Sequence, residues 1–334
     1  MTGSTLEQAT AITLAGEPLP RSIAFELARV DGESVLDLVA LANRVRNRFA
    51  AEFQTCSIIN AKAGHCSENC RFCAQSSAHN TEIDSYPMLS AAEITAGAET
   101  AYSNGLRSFC IVASGYGMPR VNRDFEQALQ AIDCIHQRFP DMGVSASLGI
   151  LSENTARLLA ERKIEHYNIN LQTAPERYSE LIANTHKIEE RIATIKMLKP
   201  YGIRICSGGI LGAGETMADR IALAFALSEL EADIIPLNIL VPIKVTPLEN
   251  QPPVSAIEVA RTVSLFRLVN PRAVIKLAAG RETVMNDFQG LLMLAGANGF
   301  ITGGYLTTRG RSVEHDLAFL RELQAFAVTA ESGQ

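Results

Sequence analysis

Strand-like and helix-like segments alternate strictly along this chain, and no other feature restricts its fold so much. Eight short runs rich in β-branched and apolar residues read as strands, at about 55–61, 107–114, 143–148, 166–171, 202–208, 233–241, 273–278 and 299–303. Amphipathic stretches separate them, among them Ser90–Asn104, Arg123–Phe139, Ser152–Arg162, Lys187–Leu198, Asp219–Leu230 and Ala256–Leu268. Alternation of this kind builds a parallel sheet, and eight units are the number that closes it into a (β/α)8 TIM-type barrel. An open doubly wound sheet is the alternative. The even count and the lack of a dinucleotide fingerprint favour closure.

The 334 residues suit one such barrel over 51–315, with a helical N-terminal extension over 1–50 and a last helix and polar tail over 316–334. At 47% hydrophobic the chain can bury a large core, and no Pro/Ser/Gly-rich linker divides it. The net charge of −6, with acids and bases interspersed, gives no basic stripe for nucleic acid. The longest apolar stretches, such as Ile234–Ile243, are broken by Pro236, Asn238 and Pro242, so no membrane span is expected. The opening Met-Thr-Gly-Ser-Thr lacks a basic and then apolar leader. Seven cysteines, an odd number, argue for reduced thiols and metal binding over disulfides. The expected compartment is the cytoplasm.

Just after the first strand comes Cys66-Ser67-Glu68-Asn69-Cys70-Arg71-Phe72-Cys73, a C-x3-C-x2-C triplet. Catalytic loops of such barrels gather at the C-terminal ends of the strands, so the triplet falls where chemistry is expected. Thiolates select iron–sulfur clusters, zinc or Cu(I). Three ligands on a four-iron cube leave one iron open to a second molecule. Cysteines at i, i+4 and i+7 also suit the packed face of a helix. Gly64, Ser67, Glu68 and Asn69 favour an exposed loop instead, and no nearby C-x2-C or H-x3-H pair completes a zinc site.

Polar and sulfur residues recur inside the other strands. They are Cys56 on the first, Cys110 on the second, Ser145 and Ser147 on the third, Asn168 and Asn170 on the fourth, Cys206 on the fifth, Asn238 on the sixth and Lys276 on the seventh. Asn168 and Asn170 are two apart and share a side of the sheet. Polar groups in a barrel interior are costly without partners, so this set points to a shared internal site.

With Tyr167-Asn168-Ile169-Asn170-Leu171, Cys206-Ser207-Gly208-Gly209, Thr246-Pro247, Ala279-Gly280-Arg281-Glu282 and Ala295-Gly296-Ala297-Asn298, the triplet resembles the biotin synthase family of radical S-adenosylmethionine (SAM) enzymes, from about residue 30 to 325. The resemblance implies a barrel of the radical SAM class, usually homodimeric, with Cys66, Cys70 and Cys73 holding a [4Fe–4S] cluster. SAM bound to the open iron is cleaved to a 5′-deoxyadenosyl radical. That radical takes hydrogens from carbons 9 and 6 of dethiobiotin, and an auxiliary cluster supplies the sulfur. The resemblance also implies an electron donor such as flavodoxin or ferredoxin. It casts Asn168, Asn170 and Asn238 as hydrogen-bonding partners of the substrate's ureido ring, and Asn170, Gln172 and Phe72 as SAM contacts. Gln172 stands where the family more often has an acid.

The auxiliary ligands are where the chain departs. Cys110 and Cys206 match two family cysteines, but Ser145 stands at the third and Lys276 at an arginine; Ser108 replaces another arginine. Serine is a harder, weaker iron ligand than thiolate, and lysine must lose its proton to coordinate. Cys56 is then either a third thiolate, giving a larger variant in place of the common [2Fe–2S] cluster, or a small buried hydrophobe facing the helices. Cys134 reads as ordinary helix packing and His65 as a loop residue. Gly208, Gly209, Gly212 and Gly214 suit a backbone passing close to SAM. Alternatives are a related radical SAM enzyme without sulfur insertion (hydrogenase-maturation or methylornithine-synthase-like), a lipoyl-synthase-like sulfur inserter, or an iron–sulfur carrier or sensor.

Overall fold

Successive side chains on a strand face opposite sides of the sheet, and here the outward set is apolar while the inward set mixes polar and sulfur groups with Ile58, Ile234 and Val274. In the computed structural model, which describes residues 2–306 and 310–326, the strands are β1 (Gln54–Lys62), β2 (Ser108–Ala113), β3 (Gly143–Ser147), β4 (His166–Asn168), β5 (Arg204–Cys206), β6 (Ile234–Ile239), β7 (Val274–Leu277) and β8 (Gly299–Ile301). Each is parallel to the next, and β8 returns to pair with β1, so the sheet is a closed eight-stranded barrel. Ile59, Phe109, Ile111, Val144, Tyr167, Ile205, Ile235, Ile275 and Phe300 belong to the large apolar cluster under the helices. Ile59 and Phe109 crowd Gly97 of the first barrel helix, where an added Cβ would lie 2.8 Å from Ile59 Cδ1.

The strand positions follow the sequence pattern, with β4 and β5 shorter than the runs over 166–171 and 202–208 suggest. Beyond Asn168 and Cys206 the two segments leave the regular ladder and stay joined by single bonds, Ile169 N–H to Cys206 O and Gln172 N–H to Gly208 O. That departure opens the mouth of the barrel.

Three helices precede β1: α1 (Thr2–Ala15), α2 (Arg21–Leu27) and α3 (Ser34–Phe49). The crossovers carry α4 (Ala91–Ser103), α5 (Arg123–Arg138), α6 (Glu153–Glu161), α7 (Tyr178–Leu181), α8 (Ile188–Leu198), α9 (Met217–Glu229), α10 (Ala256–Val269) and α11 (Gln289–Leu294). The last, α12 (Val313–Gln324), follows β8; the tail from 327 lies outside the described residues. Ser90, Asn122, Ser152, Thr216, Ser255 and Ser312 each accept a first-turn backbone N–H, which stops the chain at the start of a helix. Cys134 corrects its reading as packing: it is exposed. The buried stripe of α5 runs through Phe125, Ala128, Leu129, Ala131, Ile132 and Ile135, and position 134 falls outside it.

Ala295–Asn298 has a structural role. Arg267 on α10, fully buried, donates to Gly296 O at 2.8 Å, Ala273 O at 2.8 Å, Pro271 O at 3.0 Å and Asn298 Oδ1 at 2.8 Å. Asn298 Nδ2 in turn donates to Ala50 O and Glu52 O, tying the end of the N-terminal segment to the barrel floor. Arg267→Met is expected to lower stability in urea by at least about 3 kcal/mol, because several buried acceptors lose their donor at about 1–3 kcal/mol each. A loss under about 1 kcal/mol would show that these carbonyls find other donors.

Candidate active site

The loop after β1 folds back on itself and brings the triplet to the barrel mouth. Gly64 turns it with φ +71, where a side chain would meet Ser85 Oγ at 2.0 Å. Cys66 N–H donates to Gln75 O, Ser77 N–H to Cys66 O and Cys73 N–H to Cys70 O. Cys66, Cys70 and Cys73 thereby line one cavity of about 350 Å³. Burial, with neighbouring Cys73, pushes the Cys70 thiol up to about 12, and burial raises Cys73 as well. As free thiols they stay protonated at neutral pH. A metal that displaces the protons offsets that cost.

The flanks of the triplet are less exposed than the sequence suggests. Glu68 is buried because it accepts from Thr185 Oγ1 at 2.7 Å, His186 Nδ1 at 2.6 Å and Ser67 Oγ at 2.7 Å. Burial alone would raise its pKa, but these donors outweigh burial and hold the carboxyl below its usual range. With Nδ1–H given to Glu68, His186 Nε2 accepts from Tyr178 O–H at 2.6 Å and Arg191 Nη2 at 3.0 Å. Arg191 Nη1 also donates to Asn170 O at 2.9 Å. One network thus fixes the cysteine loop to the strand that carries the amides.

Asn168, Asn170, Gln172 and Asn238 all line the same cavity as the cysteines. Their amides are not equally free. Asn170 Oδ1 accepts from Gly208 N–H at 2.9 Å, and Asn238 bonds at both ends, to Gly209 O at 3.2 Å and from Ala279 N–H at 3.3 Å. Asn168 makes no side-chain hydrogen bond among the described residues, so its amide and the Asn170 NH2 face the cavity. Gly208 lets its segment pass close to β6, since an added Cβ would lie 1.9 Å from Pro236 O. Gln172, with φ 71, leaves its Oε1 buried without a partner. Phe72 packs beside Ile210, Ala213, Leu240 and Leu248 and forms an apolar wall.

Deeper in the barrel lies a second group of thiols. Cys56 is buried and shares the inward face of β1 with Ile58, which lines the cavity; it does not face the helices. Burial raises the Cys110 thiol, and Cys56 raises it further. Burial pushes Cys206 up to about 12, against the pull of Lys276, with Cys56 adding to the rise. Ser145 pairs in register with Cys110 and donates to Phe109 O at 3.2 Å. Lys276 is buried nearby, while Ser108 donates to Glu165 Oε2 at 3.3 Å. Among the described residues no three His, Cys, Asp or Glu side chains close on a point as they would around a single metal ion. Cys206 packs beside Ile234 and Val274 in the barrel interior.

Three site residues are absent from the sequence reading. Arg191 is the one cation among the described residues lining the cavity, and its Nε–H is buried without a partner. It sits in an ordinary charged first turn of α8, which carries no signal. Tyr305 reaches the cavity from beyond β8, its O–H held by Glu282 Oε2 at 2.8 Å and its oxygen by Arg281 Nε–H at 3.1 Å. His166 was legible, because it lies two residues before Asn168 and so faces the same way.

A closed parallel barrel with three cysteines on the loop after its first strand, facing amides at its mouth, defines the radical SAM class. Residues 62–227 match the family model for the radical SAM superfamily, and 236–325 that for the Biotin and Thiamin Synthesis associated domain. The chain is 52% identical over 324 residues to biotin synthase of Chlorobium phaeobacteroides (strain BS1), covering 96% of each. It is likewise 52% identical to biotin synthase of Chlorobaculum tepidum, covering 96% of this chain and 98% of that one. Among solved structures it is similar in fold to methylornithine synthase (PylB), with TM-score 0.82, 17% identity and 96% of each chain covered. The chain belongs to the biotin synthase family. Its cofactors are accordingly a [4Fe–4S] cluster, SAM and an auxiliary iron–sulfur cluster, and the two groups of thiols fit them in softness, burial and grouping.

Proposed function

We infer that this protein is a radical SAM enzyme that inserts sulfur into dethiobiotin to form biotin. The observation that carries the reading is one cavity lined both by a cysteine triplet and by amides suited to a cyclic urea, with a separate buried thiol group behind it. When bound, the [4Fe–4S] cluster with SAM supplies radical chemistry and the auxiliary cluster supplies sulfur.

The chain's own residues bind and orient. Cys66, Cys70 and Cys73 hold the first cluster, and Cys110, Cys206 and Cys56 the second, with Ser145 and Lys276 beside it. Arg191, next to the triplet with a free N–H, suits the carboxylate of SAM. Gln172, whose Oε1 lacks a donor, and the Phe72 wall suit the ribose and adenine. Asn168 and the Asn170 NH2 take the substrate's ureido group, and Asn238, held at both ends, keeps the facing wall in place. The buried Glu68–His186–Arg191 network keeps the cysteine loop at a fixed distance from those amides, which radical transfer between two bound molecules needs.

The enzyme acts as a homodimer in the cytoplasm, reduced by a flavodoxin or ferredoxin, with its barrel over 51–315, an extension over 1–50 and a helix and tail over 316–334. All seven cysteines are free thiols, and no described helix is long and apolar enough to cross a membrane.

Asn168→Ala and Asn170→Ala are each expected to weaken dethiobiotin binding by about 1–3 kcal/mol, the cost of leaving a buried partner unpaired. Isothermal titration of anaerobic, SAM-loaded protein measures it. Unchanged affinity in both variants would put the ureido group elsewhere.

A further inference from the structure

On β4 one inward-facing side chain is used by neither the substrate site nor the thiols. His166 is only 2% exposed. The register of β3 and β4 pairs Ala146 with Tyr167, which sets Ser145 beside His166, one residue earlier on each strand. Ser145 in turn stands opposite Cys110. Cys206 pairs in register with Asn168, one inward position beyond His166 on the neighbouring strand, and Lys276 is buried on β7 at 3% exposure. His166 Nδ1 has no hydrogen-bond partner, and the nearest acid, Glu165 Oε2, is 3.7 Å away. Glu165 is itself held between Ser108 Oγ at 3.3 Å and Arg204 Nη1 at 3.5 Å.

We infer that His166 is a nitrogen ligand of the auxiliary iron–sulfur cluster held by Cys56, Cys110 and Cys206, with Nε2 on iron and Nδ1–H turned to Glu165. The inference rests on the reading of this chamber as the sulfur-donating site. Three thiolates on a four-iron cluster leave one iron without a protein ligand. Ser145, at the position of a family thiolate, offers only a hard hydroxyl, and Lys276 must lose a proton to bind. A neutral imidazole coordinates as it stands, and histidine replaces cysteine on iron in other clusters. His166 occupies the strand next to Ser145, so it reaches the corner that the missing thiolate vacates. The far nitrogen of a metal-bound histidine usually faces a carboxylate, and here Glu165 stands in that place.

The full-length protein, produced with nitrogen-15 histidine in otherwise unlabelled medium, is reconstituted anaerobically without SAM, reduced and examined by pulsed EPR. Iron and sulfide are counted on the same samples. The expected result is a directly bonded histidine nitrogen coupled to the auxiliary cluster in the unaltered protein and lost in His166→Ala. His166→Cys should keep the two-cluster iron count without the coupling. An auxiliary signal free of histidine coupling in the unaltered protein, or coupling that survives in His166→Ala, overturns the assignment. Iron and sulfide for one cluster alone in the unaltered protein overturns the reading of the chamber itself.

Discussion

Alanine at any one of Cys66, Cys70 or Cys73 is expected to abolish reductive cleavage of SAM. Each thiolate closes one iron of the cluster, and two cannot hold the fourth position open for SAM while fixing the other three. The barrel should survive the change. Cys70 and Cys73 lie in a loop outside the strand ladder, and the loop is held by the Glu68 bonds to Thr185 and His186. Circular dichroism and urea midpoints within about 1 kcal/mol of the parent, the range of most small local changes, would show that the fold persists. 5′-Deoxyadenosine measured under dithionite is the readout. Cleavage at the parent rate in any one variant would refute the assignment of that cysteine.

The second large effect separates the two clusters. Cys56→Ala, Cys110→Ala or Cys206→Ala should each remove the auxiliary iron and sulfide and reduce biotin formation to background, while SAM cleavage continues. The three thiols sit on inward positions of β1, β2 and β5, and each of Cys110 and Cys206 feels Cys56 electrostatically. The Cys56 variant is the decisive one, since Ser145 removes the thiolate that the family resemblance places there. Iron and sulfide contents with a biotin assay measure the outcome. Full auxiliary content and full biotin yield in Cys56→Ala would make Cys56 a packing residue only.

The barrel was legible because two periodicities agreed: eight apolar runs with helical stretches between them, and inward positions marked by polar or sulfur residues two apart. Unusual polar and sulfur residues inside strands marked Cys110, Asn168, Cys206, Asn238 and Lys276 as one internal set, while Cys56 stayed open between the interior and the helices. The same spacing of two applies to His166, two residues before Asn168 on β4. Glu68 and Arg191 were not legible. Glu68 is buried by bonds to Thr185 and His186, more than a hundred residues away, and Arg191 acts through His186 and the Asn170 carbonyl, contacts that no apolar periodicity records. Ala295–Asn298 contributes to the family resemblance through a structural role. Gly296 and Asn298 accept from the buried Arg267 and hold the barrel floor. Cys134 failed for lack of phase: helical register, not helix membership, decides burial.

The most direct test is a single anaerobic incubation of reconstituted protein with dethiobiotin, SAM and a reductant, read by mass spectrometry. The expected product is dethiobiotin with one sulfur gained and two hydrogens lost, accompanied by 5′-deoxyadenosine and methionine. Formation of 5′-deoxyadenosine while dethiobiotin stays unchanged, in protein shown to carry both clusters, would contradict it.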